Sequence, residues 1–313
     1  MKTVFIINPK AGRKKDVEKL SQDILLAAKK LNKEADIYIT RSVGDAGNFA
    51  KNYAMEKGKA RFVACGGDGT LSEVVNGVYG FEGVEVGVMP MGTGNDFCRN
   101  FPSELNFSDI EAQLLGKSQK CDLIKYTTET PHGTKTGYCV NMFNIGFDCN
   151  VADTTNRLKK KPLIFGSMAY LLSIFIILVK KKGANLTIDI DGKRVHSGAL
   201  LLTSIANGSY CGGGVKSNPT ALVNDGIMDV NIINNVSRLT FMGKLPYYMK
   251  GTHMGVKNIE KIITCHQCKN MTITPQNGKM RLCADGEIFD AGKTDFEVAE
   301  GSFSFVLPQC NEK

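Results

Sequence analysis

The 313-residue sequence is defined first by what it lacks. It has no disordered tract, low-complexity linker or internal repeat. Apolar residues make up 42% of it, so it can bury real cores, and its length suits two domains of ordinary size. Met1-Lys2 runs straight into TVFII, without the apolar core and cleavage site of a secretion signal. That predicts a cytoplasmic protein whose ten cysteines are thiols. Cys265-His266-Gln267-Cys268 is half of a zinc knuckle, and Cys283 alone does not supply the other half. His132, His196 and His253 have no partner at ligand or triad spacing. The 39 Lys and Arg against 31 Asp and Glu give a net charge of +8, which favours polyanions or an anionic membrane surface. The basic residues are scattered, with no aromatic–basic interleaving, so nucleic acid is not an expected partner. A homodimer stays open.

What is present begins with alternation. TVFIIN, ADIYIT, RFVAC and VEVGVM read as strands, separated by amphipathic helical stretches such as DAGNFAKNYAMEKG. Over the first ~125 residues this predicts a parallel sheet flanked by helices, an α/β fold whose ligands bind at the carboxyl ends of the strands. After about residue 126 short alternating strands take over: LTIDIDGKRVHSG with an Asp191-Gly192 hairpin turn, ALLLTSIAN, IMDVNII, MTITP and SFSFVLP. The expected organisation is a nucleotide domain over 1–125 and a β-rich antiparallel domain over 126–295, with 296–313 folding back on the first. One helical stretch is expected in the second domain, between about 147 and 181.

Three loops at the strand ends of the first domain stand out. They are Asn8-Pro9-Lys10-Ala11-Gly12, Gly66-Gly67-Asp68-Gly69-Thr70 and Met91-Gly92-Thr93-Gly94-Asn95-Asp96. Glycine-rich turns from strand to helix offer backbone N–H groups and a helix dipole to phosphate. Neither G-x-x-x-x-G-K-[ST] nor a strand-borne G-x-G-x-x-G occurs. Instead the second loop carries a carboxylate. Beside polyphosphate, Asp68 is repulsive unless a cation lies between, so it implies Mg²⁺ bridging to a nucleotide. Thr70 and Thr93 are hydroxyl donors to phosphate, and Glu73 can steady the loop or reach the metal.

GGDGTLSEVVNG, with NPKAG before it and PMGTGNDFCR after it, resembles the catalytic domain of diacylglycerol kinases and related bacterial lipid kinases. The later blocks agree: Gly212-Gly213-Gly214, NPTALVNDGIMD over 218–229, and Ala284-Asp285-Gly286-Glu287. The likeness runs from residue 3 to about 307. GGDGT alone is also similar to NAD kinases and phosphofructokinases. The resemblance implies ATP binding by Asn8, Pro9, Lys10, Ala11, Gly12 and Thr40, by Gly66, Gly67, Asp68, Gly69, Thr70, Leu71, Ser72 and Glu73, and by Thr93 and Asn95. It places Asp68 and Asp96 on active-site acids, and Asp285 and Glu287 in the segment that holds the catalytic base. Of those two, Glu287 is preferred for its longer reach. Asp122 matches an aspartate linked through water to an ordered Mg²⁺. The metal itself would take the Leu222 carbonyl, the Asp225 carboxylate and the Ile227 carbonyl. Such a set suits Mg²⁺, which wants hard oxygens and keeps several waters. Its implied role is to tie the second domain to the first.

Residues 163–179, LIFGSMAYLLSIFIILV, form an uncharged run between Lys159-Lys160-Lys161 and Lys180-Lys181-Lys182. A spanning helix needs about 20 residues, and Gly166, Ser167 and Ser173 interrupt this one. A spanning helix, a buried helix and a helix lining a lipid cleft are all open, the last preferred. The expected protein is thus an ATP-dependent lipid kinase using Mg²⁺, cytoplasmic and in peripheral contact with anionic membrane. Its acceptor would be a lipid hydroxyl on diacylglycerol or a similar molecule, entering between the domains. An NAD kinase-like enzyme and a non-catalytic lipid-binding protein on a kinase scaffold are the alternatives.

Overall fold

The computed structural model describes residues 1–12, 16–146 and 183–309. The apolar run at 163–179 and its flanking lysines lie outside the described residues. Two compact units divide the chain: Met1–Leu123 together with the segment from Glu300, and Ile124–Ala299.

The first unit opens with β1 (Lys2–Ile7), α1 (Val17–Lys30), β2 (Ala35–Ile39), α2 (Asp45–Lys57) and β3 (Ala60–Gly66). It continues with α3 (Asp68–Val78), β4 (Glu85–Pro90) and the short α4 (Ile110–Leu115). The strands lie in the order β4-β3-β1-β2, all parallel. Val4, Phe5, Ile6 and Ile7 are all fully buried, because helices cover both faces of the sheet. On one face Ile24, Ala27 and Ala28 of α1 and Leu114 of α4 pack on Phe5, Ile7, Val63 and Met89. Asp16 starts α1 by accepting a hydrogen bond from the Lys19 amide. α2 and α3 meet backbone to backbone at Gly47 and Gly77, where a Cβ on Gly77 would stand 2.3 Å from the Gly47 carbonyl oxygen. Only glycine permits that approach. The chain runs from β1 outward to β2 and then back past β1 to lay down β3. The β1–β3 boundary is therefore the switch point at which open α/β sheets bind ligands.

β5 (Lys117–Thr130) and β15 (Thr294–Leu307) carry the chain from one unit to the other and back. Within the first unit, Ser304 and Phe305 of β15 pair in parallel with Glu85 and Val86 of β4.

The second unit is antiparallel. It holds β6 (Gly133–Cys139), β7 (Met142–Gly146), β8 (Ala184–Ile190), β9 (Lys193–Ala206) and β10 (Met228–Asn234). A helix α5 (Arg238–Lys250) precedes β11 (Ile263–Cys268), β12 (Asn270–Pro275), β13 (Met280–Ala284) and β14 (Glu287–Ala291). The order is β14-β13-β7-β9-β8-β12-β15, with β10 also on β9 and β11 beyond it. Asp191 and Gly192, at φ +47° and +75°, make the tight β8–β9 turn. Phe143, Ile145, Ile188, Leu282 and Phe296 fill the core. The sequence reading expects only strands between 228 and 275, so α5 corrects it. Ser237 caps the helix on the Thr240 amide, and Gly251 ends it at φ +70°. Pro246 sits inside it. Among the described residues no helix is long and apolar enough to cross a membrane.

Candidate active site

The three glycine loops leave the carboxyl ends of β1, β3 and β4, which are neighbouring strands, and the structure brings them together. The Asn8 amide donates to the Thr70 hydroxyl at 3.1 Å, and its oxygen accepts from the Lys10 N–H at 3.0 Å. The Met91 N–H donates to the Gly66 carbonyl at 2.7 Å. A Cβ on Gly12 (φ +69°) would meet the Met91 carbonyl oxygen at 2.1 Å, and one on Gly92 would meet the Gly67 Cα at 2.5 Å. Asn95, at φ +53°, closes the third loop by both accepting from the Gly92 N–H and donating to the Gly92 carbonyl. Pro9, Lys10, Gly69 and Thr93 are exposed. Thr70 is buried beneath Gly66, and Thr40 is buried with its N–H on the Ile7 carbonyl. Ser72 and Glu73 are half-buried, while Leu71 belongs to the core at 2% exposure. Gly67 stands at the N-cap of α3 without a side-chain cap, and its carbonyl accepts from the Thr70 N–H at 3.0 Å.

Asp68 is the first residue of α3, and its Oδ1 accepts from the Phe97 N–H at 3.2 Å. A Cβ on Gly94 would lie 2.8 Å from Asp68 Oδ2 and 3.3 Å from Asp96 Oδ2, so the two carboxylates converge on one glycine. Asp96 is 6% exposed, and its Oδ1 stands 3.6 Å from Arg99 Nε. Arg99 offsets part of the negative charge gathered there, and a further cation would offset more. Two hard carboxylate oxygens beside a residue without a side chain fit Mg²⁺. The neighbouring Cys98 thiol is pushed up to about 12, first by burial and then by the Asp68 charge. It therefore stays a neutral thiol at neutral pH.

In the second unit the structure separates the two candidate bases. Asp285, at φ +46°, forms the β13–β14 turn with Gly286. Its Oδ1 accepts from the Asn141 N–H at 2.9 Å, the Met142 N–H at 3.2 Å and the Cys139 thiol at 3.1 Å. Its Oδ2 accepts from the Val140 N–H at 2.8 Å. The carboxylate thus clamps the chain between β6 and β7. Burial, and then the Asp285 charge, pushes the Cys139 thiol well up. The Tyr126 phenol, stacked on Phe289, is also raised, mainly by burial. Glu287, the first residue of β14, is exposed.

Leu222, Asp225 and Ile227 lie on the turn leading into β10. Gly226 takes φ +71°, and Asp225 Oδ1 accepts from the Ile227 N–H at 3.1 Å. Asp225 is exposed, and the turn is tied down by Ser209, whose hydroxyl donates to the Ala221 carbonyl. One exposed carboxylate is a hard-oxygen donor that fits a cation keeping most of its waters. Asp122 belongs to the first unit, where it is 1% exposed and accepts from the Gly301 N–H at 2.6 Å. Sequence reasoning missed the Phe97 N–H that fixes Asp68 and the 139–142 segment that fixes Asp285. Both contacts join remote segments, and no local pattern signals them.

Residues 2–126 match the family model described as the diacylglycerol kinase catalytic domain. Residues 141–306 match the YegS C-terminal NAD kinase beta sandwich-like domain. A diacylglycerol kinase of Staphylococcus aureus (strain bovine RF122 / ET3-1) is 32% identical over 245 residues, 77% of this chain and 73% of that protein. One from Bacillus subtilis (strain 168) is 27% identical over 287 residues, 90% of this chain and 88% of that protein. Among solved structures, a putative diacylglycerol kinase from Bacillus anthracis str. Sterne gives a TM-score of 0.74 at 21% identity, covering 98% and 96% of the two chains. Yeast NADH kinase complexed with NADH gives 0.52 at 11% identity, covering 99% and 84%, a likeness of fold alone. The glycine loops fall inside the first matched region and most of the β-rich unit inside the second, and the chain belongs to the diacylglycerol kinase family.

Proposed function

We propose that this protein transfers the γ-phosphoryl group of ATP to a lipid hydroxyl, with diacylglycerol the first candidate, and that Mg²⁺ accompanies the nucleotide. The convergence of Asp68 and Asp96 over Gly94, at the mouth of the glycine loops, carries this reading. Polyphosphate would lie against the first turn of α3, with Lys10 and the Thr93 hydroxyl as further donors. Asp68 and Asp96 would hold Mg²⁺, which when bound offsets charge on the transferring group. Glu287 would take the proton of the acceptor hydroxyl, and Asp285 would fix the turn that presents it. Most of the acceleration is then alignment and charge neutralisation. The names of the relatives support the acceptor class.

The NADH kinase fold likeness keeps a second reading in view. Incubation with γ-labelled ATP, Mg²⁺ and either lipid extract or NAD decides between them. Label entering the organic phase is the expected result. Label on NAD would overturn the lipid assignment, and label in neither would leave a lipid-binding protein on a kinase scaffold.

A second Mg²⁺ at the Asp225 turn would act structurally. Mg²⁺ is expected to raise the melting temperature of the wild type, and EDTA to lower it, with both responses reduced in Asp225→Ala. A variant that keeps the full Mg²⁺ response would remove the metal from this turn.

A further inference from the structure

Helix α5 carries one apolar arc that runs about half way round it at about 100° per residue. At the inner end of the arc Phe241 and Tyr248 are buried with Leu202, Ile233 and Ile263, and Leu245 and Met249 pack against the same cluster. At the outer end stand Met242, Pro246 and Leu239, where Leu239 is 82% exposed and Met242 51%. The arc is wider than contact with that cluster uses, and its outer end is left to solvent. An open hollow of about 430 Å³ follows the arc, walled by Met242, Leu245, Pro246, Met249 and Lys250. Met254, in the short turn after the helix, is also 51% exposed.

Charge indicates what covers this face. Between residues 235 and 262 the sequence carries Arg238, Lys244, Lys250, Lys257 and Lys261 against the single acid Glu260. Lys250, Lys257 and Lys261 are all exposed. Exposed, flexible Leu and Met side chains on a lysine-rich segment, with Lys250 at the hollow itself, suit a fluid anionic surface, which needs no shaped counterpart. We infer that α5 and the turn after it form a docking face for an anionic lipid bilayer. Leu239, Met242 and Met254 enter the interface, and Lys250, Lys257 and Lys261 meet head-group phosphates. This goes beyond the kinase reading and does not depend on it.

The test is sedimentation of the full chain with vesicles, without nucleotide, so that failure of phosphoryl transfer cannot affect the result. Vesicles of phosphatidylglycerol and phosphatidylcholine should bind it at least about tenfold more strongly than phosphatidylcholine alone, and added salt should erase the difference. Leu239→Glu with Met242→Glu should lower partition at least about tenfold while the melting temperature holds, because both sites are exposed. If that pair fails to fold, a triple Lys250→Gln, Lys257→Gln and Lys261→Gln variant should still lose the preference for anionic vesicles. Three results would each overturn the proposal. One is equal binding to both vesicle types, and another is undiminished anionic binding by the variants that fold. The third is a wild-type dimer that the glutamates dissolve without changing vesicle binding.

Discussion

Replacing Asp68 with alanine is expected to remove phosphoryl transfer while leaving the protein folded. The carboxylate is one of two that converge over Gly94, and losing a metal link should cost the transition state about 4 kcal/mol, or about a thousandfold in rate. Two small effects on stability oppose each other. The Phe97 N–H loses its acceptor, a change of about 1 kcal/mol, while repulsion from Asp96 is relieved. Asp68→Asn sharpens the test, since the amide oxygen can still accept from Phe97 but carries no charge. It should match alanine in turnover and the wild type in melting temperature. A large fall in melting temperature for both variants would make Asp68 a structural residue and end its assigned role. Full activity in the asparagine variant would remove the need for charge there.

The second large effect concerns the β13–β14 turn, where two acids two residues apart should respond differently. Glu287 is exposed, so Glu287→Gln should leave stability unchanged while cutting kcat by about 10²–10⁴, the usual worth of a general base. Asp285→Asn keeps the shape and the tolerance for positive φ. Its –NH₂, however, must face either the Val140 N–H or the donors gathered on the other oxygen. One donor then opposes another, at about 2–3 kcal/mol, and the melting temperature should drop by several degrees. Turnover should fall as well, but less than in Glu287→Gln, because the base itself remains. The reverse pattern, with a stable Asp285→Asn that shows the larger loss of turnover, would exchange the two roles.

The parts of this architecture that show in the sequence are those written locally. VFII declares a strand buried on both faces because no polar residue interrupts it, and Gly66-Gly67-Asp68-Gly69 declares a tight turn from strand to helix because glycines crowd one strand end. The convergence of Asp68 with Asp96 is not written in either loop. It follows from β3 lying beside β4 in register, Cys65 opposite Met89 and Gly66 opposite Pro90. Nor is the clamp on Asp285, which exists because β13 pairs with β7, Ala284 opposite Phe143. α5 escaped for a different reason. Arg238 falls within its apolar arc at about 100° per residue, and Pro246 reads as a breaker.

The late strand of the first unit bears on the order in which that unit can be made. Phe305 of β15 meets the ring of Phe97 edge-on and stacks on that of Phe101, with both centroids 4.9 Å away. Phe303 approaches the same cluster. During synthesis β1 to β4 leave the ribosome well before these residues exist. Until β15 arrives, the outer edge of β4 has no strand to complete it and Phe97 and Phe101 lack Phe305, an arrangement that invites pairing with another nascent chain. Closure of this long-range contact also belongs to the slow class of folding steps. The glycine loop after β4 would thus gain its final support only after the whole β-rich unit has been translated.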